Sequence, residues 1–259
     1  MQIPTICSLS PDSETNTVST MNIIHALGGR GVSINDFDIC THGIDTYKGE
    51  LANSNQALNS NSVVLQHADI IQLSAAVDVQ AWIELIPVLT ANNPATRIIL
   101  QVPVNSDLNA LQQLLGLVDI AIFDSASLAN LCAVEITCAS TARAALYRLK
   151  AQLASQTSLV YQADAKLAIN EQAIDITLHN EAEYNLASDV ATINKQQALA
   201  FMTALSTVLA QDYPLDDALV VARAYCNQSR QLGRCQGWPK LRQYFPTVVL
   251  ANSALGKAL

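Results

Sequence analysis

Short, nearly continuous apolar runs alternate through residue 178 with longer stretches whose apolar positions recur every three or four residues. The runs predict strands at Ile3–Leu9, Val32–Cys40, Asp69–Leu73, Arg97–Val102, Val118–Phe123, Ser158–Gln162 and Ala173–Leu178. They are too short for ordinary helices and rich in Ile and Val. Asp-Ile-Ile-Gln-Leu and Arg-Ile-Ile-Leu-Gln-Val are also too continuous for half-exposed strands, and suit parallel strands covered on both faces. The helical period predicts helices at Thr17–Leu27, Gln80–Asn92, Leu108–Leu115 and Thr141–Ala154. Such alternation implies βαβ units: an α/β protein with a mostly parallel central sheet in a three-layer α/β/α sandwich.

The last third changes pattern. Asn194–Gln211 and Leu215–Leu232 read as two consecutive helices. Pro214 opens the second, and Asp216 and Asp217 fall in its first turn, where carboxylates favour the helix dipole. Leu215, Ala218, Leu219, Ala222 and Tyr225 form one apolar stripe. After Gln236, Pro239 and Pro246 interrupt helix formation, while Trp238, Tyr244 and Phe245 require a surface to bury against. The expected organisation is a main domain over residues 1–235 and an ordered strap or junction over 236–259.

The chain has 259 residues, 50% of them hydrophobic and 14% charged. Mean hydropathy is +0.22, which raises the question of a membrane. The longest uncharged amphipathic stretch, between Lys195 and Asp212, is broken by Gln, Thr and Ser and is shorter than the ~20 apolar residues a span requires. Nor does the Met-Gln-Ile-Pro-Thr opening carry a basic and then apolar leader. The expectation is a cytoplasmic protein without a membrane partner. All 22 acidic residues lie at or before Asp217, while the stretch from Arg223 onward holds six basic residues and no acidic ones. The overall charge of −8 argues against nucleic acid as a partner.

Nine glycines are about half the usual ~7%. Their one cluster, Gly28-Gly29-Arg30-Gly31, fits a helix C-cap better than a phosphate cradle. Six cysteines show no C-x-x-C pair and four histidines are scattered, so no metal centre is expected, and no cofactor.

The order of elements resembles the hydroxymethylpyrimidine phosphate kinases, ribokinase-like enzymes of thiamin biosynthesis. The resemblance covers roughly residues 3–235. Thr5-Ile6-Cys7-Ser8-Leu9-Ser10-Pro11 leads through residues 12–20 into Met21-Asn22-Ile23-Ile24-His25-Ala26-Leu27-Gly28, keeping the family's Pro and its Ala-Leu-Gly in register. Further along, Ala204–Ala210 followed by Leu215-Asp216-Asp217-Ala218 resembles the family's helix pair. Ala222-Arg223-Ala224-Tyr225 matches its Ala-x-Ala-Tyr.

The departures fall on the positions the resemblance marks as functional. Ser13-Glu14-Thr15-Asn16 stands where the family has Gly-Gly-Ala-Gly. The pyrimidine-reading Gln aligns near Thr41, and the strand that should end Val-Asp-Pro-Val-Met reads Leu100-Gln101-Val102-Pro103-Val104. The Asn-x-x-Glu pair associated with magnesium and phosphate falls near Asp124 and Ser127, and the Lys of Val-Lys-Gly-Gly-His at about Tyr161. The glycine-rich anion hole, Gly-Thr-Gly-Cys or Gly-Thr-Gly-Asp, is replaced by Gln196, Gln197, Ala198 and Leu199. Phosphoryl transfer rests on positioning and charge stabilisation, and Leu199 can neither accept a proton nor attack.

The resemblance therefore implies a ribokinase-like domain without kinase chemistry and with no catalytic residues. Ser10, Thr41, His42 and Asp124 would remain from its pocket. Gly237-Trp238-Pro239 and Tyr244-Phe245-Pro246 resemble the junction of fused thiamin-biosynthesis proteins, implying a C-terminal thiamin-phosphate synthase domain beyond this chain as a partner. Related kinases dimerise, so a homo-oligomer is expected. Two other readings follow from the same residues: an active phosphomethylpyrimidine kinase using substitute carboxylates such as Asp124, Asp164 or Asp189, and a pyrimidine sensor without turnover.

Overall fold

The computed structural model describes residues 3–9, 14–34, 48, 60–74, 78–104, 107–153, 156–163, 173–188, 195–232, 238–239 and 247–250. Its strands are β1 (Thr5–Leu9), β2 (Arg30–Ile34), β3 (Ile70–Leu73), β4 (Arg97–Gln101), β5 (Ile120–Phe123), β6 (Ser158–Tyr161), β7 (Ala173–His179), β8 (Ala182–Ser188) and β9 (Thr247–Leu250). Its helices are α1 (Glu14–Ala26), α2 (Ser60–His67), α3 (Val79–Asn92), α4 (Leu108–Leu115), α5 (Ser125–Cys132), α6 (Ala139–Gln152), α7 (Lys195–Leu209) and α8 (Leu215–Leu232).

The strands form one sheet in the order β2-β1-β3-β4-β5-β6-β7-β8-β9. β1 to β6 pair in parallel; β7, β8 and β9 add antiparallel ribbons at one side. Strand alternation divides the core in two. Cys7, Leu9, Ile71, Leu73, Leu100, Phe123 and Tyr161 pack with helices α2 to α6 around Trp82, which is fully buried. Ile6, Ile70, Ile99, Ile122 and Val160 pack on the other face with α1, α7 and α8. This is the expected three-layer α/β/α architecture.

The glycine cluster is a C-cap. Gly28 takes φ +89°. Its N–H donates to His25 O at 3.1 Å, and Gly29 N–H donates to Ile24 O at 2.9 Å, the paired bonds that terminate a helix through a left-handed residue. A Cβ on Gly31 would lie 2.5 Å from Met21 Sδ, so α1 packs close against β2. The cap returns the chain to the sheet at once. β2 therefore begins at Arg30, two residues before the expected strand; the rest of that expected strand, 35–40, lies outside the described residues.

Four elements escape the hydrophobic pattern. α2 is short and mostly polar, and α5 owes its start to a cap. β8 carries polar residues, and β7 turns into it through Asn180–Glu181 with Asn180 at φ 51°, a conformation Asn tolerates well. β9 lies within the segment read as a strap, and pairs Thr247–Leu250 antiparallel with Ala182–Asn185. Trp238 stacks at 5.5 Å on Tyr213, just before α8, yet keeps 43% of its surface exposed. Tyr244 and Phe245 lie outside the described residues. No helix among the described residues is long and apolar enough to cross a membrane.

Candidate functional site

The two ends of the parallel strands differ in chemistry. At their N-terminal ends, polar side chains bind the backbone. Asp69 Oδ2 accepts the Thr5 N–H and Asp119 Oδ2 the Ile98 N–H, both at 2.6 Å. Burial pushes the Asp119 carboxyl up, against the pull of that N–H and of Arg97. Thr96 Oγ1 donates to Ala68 O at 2.8 Å, and Lys150 Nζ to Thr157 O at 2.6 Å. These groups tie turns to the sheet.

At the C-terminal ends, polar atoms are buried without partners. Gln72 on β3 is fully buried, and neither its Oε1 nor its Nε2 makes a hydrogen bond. Ser74 Oγ, just beyond β3, and Gln162 Nε2, just beyond β6, are also unpartnered. These four atoms are the buried side-chain N and O atoms among the described residues that lack a hydrogen bond. Each such group costs about 1–3 kcal/mol. Four buried atoms left without partners at this end mark a place the fold has not optimised for stability alone.

Gln72 and Ser74 lie where the connections diverge. From β1 the chain crosses through α1 to β2 on one face; from β3 it crosses through α3 to β4 on the other. The crevice at the carboxyl ends of β1 and β3 is thus the topological switch point, the usual ligand position in open α/β sheets. Ile70 packs toward α1, α7 and α8, so alternation puts Gln72 and Ser74 on that same face. Ser8 of β1 pairs in register with Gln72 and shares its face.

Helix α7 approaches this end with its N-terminus. Its last residue is held at the opposite end, where Arg97 Nη1 donates to Leu209 O at 3.4 Å; Gln211 Nε2 donates to Leu27 O at 2.8 Å. The first turns, carrying Gln197, Ala198 and Leu199, therefore lie toward the carboxyl ends of the strands, and all three residues are half-buried. Thr203, Ser206 and Thr207 donate their hydroxyls to the carbonyls of Leu199, Met202 and Thr203, at 2.8, 2.7 and 2.7 Å. Cys226 Sγ donates to Gln197 O at 3.4 Å, and burial raises that thiol to about 12.

Beyond β6, Arg223 of α8 and Asp175 of β7 form a buried ion pair, with Arg223 Nε donating to Asp175 Oδ2 at 2.5 Å. Asp175 Oδ1 also accepts the Ala163 N–H at 3.1 Å, and the guanidinium lies 5.5 Å from the centre of the Phe201 ring. This cluster ties β7, α7 and α8 together beside Gln162.

Asp124 stands at the end of β5. Its Oδ1 accepts the Ser127 N–H at 2.7 Å while Ser127 Oγ accepts the Asp124 N–H at 3.0 Å, a reciprocal cap on α5. Tyr161, at the position of the family's Lys, is buried with its hydroxyl 2.9 Å from Ser125 Oγ. Ser10, Thr41, His42, Asp164, Asp189 and the side chain of Gln196 lie outside the described residues. The periodicity argument passed over Gln72, Ser74 and Gln162, although a glutamine inside the doubly covered run Asp-Ile-Ile-Gln-Leu is a signal the sequence carries. No group of three or more His, Cys, Asp or Glu side chains among the described residues could hold a metal ion.

No protein-family model matches the chain, and no curated protein sequence matches it. Solved structures do. The pyridoxal kinase from Staphylococcus aureus in complex with ADP superposes with a TM-score of 0.72 at 11% identity, covering 96% of this chain and 100% of that one. The Bacillus subtilis pyridoxal kinase gives 0.66 at 13%, covering 96% and 98%. A Bacteroides thetaiotaomicron protein assigned as a phosphomethylpyrimidine kinase gives 0.65 at 12%, covering 89% and 88%. The fold is that of the ribokinase-like kinases.

Proposed function

We propose that this chain is a noncatalytic ribokinase-like domain, a structural or regulatory part of a thiamin-phosphate synthase. The observation that carries the reading is the start of α7. Gln196, Gln197, Ala198 and Leu199 occupy the helix opening where the related kinases use glycines for close backbone approach to an anion. Residues with side chains replace glycines that close backbone approach requires, and Leu199 offers no base. The commitment of Asp124 to the α5 cap supports the same reading, since that carboxylate already bonds a backbone N–H. These residues do not fit Mg-ATP in a reactive pose. The bare polar atoms at the switch point favour retained ligand binding without turnover over a purely structural role. The domain is a homodimer in this reading, as in related kinases, and Gly237-Trp238-Pro239 marks its junction with a synthase region.

The test combines thermal unfolding with hydroxymethylpyrimidine phosphate and Mg-ATP and a parallel measurement of ADP release, on protein whose mass in solution is read by light scattering. The expected outcome is a dimer with no pyrimidine-dependent ADP release. A ligand at 100 times its Kd adds about 2.7 kcal/mol, a shift of several degrees. A pyrimidine-dependent release of ADP overturns the reading in favour of a working kinase.

A further inference from the structure

The sheet ends in two edges of different chemistry. β2 forms one, with Arg30 and Ser33 exposed and Gly31 between them. A charge and a glycine on an edge strand both weaken pairing with another chain. β9, Thr247-Val248-Val249-Leu250, forms the other. It pairs antiparallel with β8, with Tyr184 opposite Val248 and Glu183 opposite Val249, and no described strand lies on its other side. Successive residues of an antiparallel strand direct their N–H and C=O groups alternately to its two neighbours. Every second residue of β9 therefore aims both backbone groups at the open edge. Such an edge is a template for another strand, and natural sheets blunt it with charge or proline. Neither stands within β9, and no charged residue occurs from Gln243 to Gly256. The chain carries −8 overall, so two copies repel across most of their surfaces. At this neutral strand that repulsion is weakest.

We infer that β9 is a dimerisation edge: β9 of one copy pairs antiparallel with β9 of a second copy about a two-fold axis, joining the two sheets into one. The pairing is self-complementary, because each strand offers the other the same outward N–H and C=O groups, and it closes at two copies once both β9 edges are used. The β2 edge, with Arg30 and Gly31, does not extend the sheet further. A four-residue strand makes a smaller contact than the roughly 20–30 residues a side of a standard stable interface, so the dimer is reversible and depends on concentration. This pairing supplies the surface for the homodimer proposed above and rests on that part of the reading alone.

The experiment follows the mass of the whole chain by light scattering from dilute to concentrated solution, with hydrogen exchange of the 247–250 amides in parallel. Val248→Pro and Val249→Pro each remove one backbone N–H, and by alternation one of the two faces β8 while the other faces the open edge. The expected mass rises from 27.8 kDa toward twice that value. Alternate amides of β9 gain protection as it rises. One proline variant keeps the wild-type unfolding midpoint in dilute solution and weakens the dimer tenfold or more; the other lowers the midpoint. A mass that stays at one copy, or that grows past two, overturns the proposal. So does a dimer that survives both proline variants, or one whose formation leaves exchange at 247–250 unchanged. A dimer of that last kind removes this surface and keeps the homodimer, whereas pyrimidine-dependent ADP release removes the noncatalytic reading and leaves β9 pairing in place, so the failures are distinct.

Discussion

Single side chains show how far neighbours redirect ordinary chemistry. Cys138 precedes α6, with its Sγ 2.8 Å from Ser140 Oγ and its N–H donating to Thr141 Oγ1 at 3.1 Å. Hydrogen bonds to its sulfur, from Ser140 first and then from Thr141, lower this half-buried thiol to about 7. Burial instead raises Cys7 to about 12, as it does Cys226. The thiolate is the reactive form, so Cys138 alkylates fastest among Cys7, Cys132, Cys138 and Cys226. Peptide mapping after a brief iodoacetamide pulse should show its rate rising through an inflection near pH 7, with Cys7 and Cys226 unmodified in the folded protein. Comparable labelling of all four would refute the assignment. None of this was legible in the residue string, where six scattered cysteines give no hint which one stands at a helix start.

At the scale of elements, the buried Arg223–Asp175 pair joins α8 to the antiparallel ribbon. Removing one partner leaves a buried charge uncompensated, so Arg223→Met should cost about 3–5 kcal/mol in urea unfolding. Asp175→Leu combined with Arg223→Met should recover most of that loss, because apolar replacement of a whole buried pair is often close to neutral. Additive losses in the double variant would show that the residues act separately. The charge pattern marked Arg223 as the first of six basic residues at the end of the chain, whereas the fold makes it one of the most buried side chains. The pair spans 48 residues, a separation that no local pattern encodes. Helices α4 and α8, by contrast, match their expected bounds residue for residue, since strong periodicity and acidic or Pro starts act within the segment itself.

For the molecule as a whole, His179 and Glu183 are two of the described groups whose folded state resists protonation. His179 Nδ1 lies 2.7 Å from Ser158 Oγ, and Nε2 lies 3.0 Å from Asn180 Nδ2. Burial, and then the charge of Lys150, lower its pKa. Glu183 is raised by burial, but hydrogen bonds from Arg143, Asn185 and Tyr147 outweigh this and hold it low. Both folded values are depressed, so both groups contribute stability above their ordinary values that is lost as pH falls through the folded ones. Stability should therefore decline first below about 6.5, where the unfolded histidine takes a proton, and again below about 4.5. Unfolding in urea at pH 7.5, 6 and 4 would show the two steps, and His179→Gln should flatten the first. An unchanged first step in that variant would assign it elsewhere.

The sequence by itself determined the α/β class, the parallel strands buried on both faces and the C-cap at Gly28. All of these follow from periodicity and turn chemistry within a few residues, which act before any distant segment arrives. Only the tertiary structure decided that β8 and β9 complete the sheet and that Arg223 meets Asp175. It also decided that Asp124 serves a helix cap, and that Gln72 and Ser74 stand unpaired at the switch point. Strand pairing, desolvation and the satisfaction of polar groups depend on which segments become neighbours. A polar residue inside an apolar run can be recognised in the sequence, but whether it finds a partner is settled only when the layers close over it.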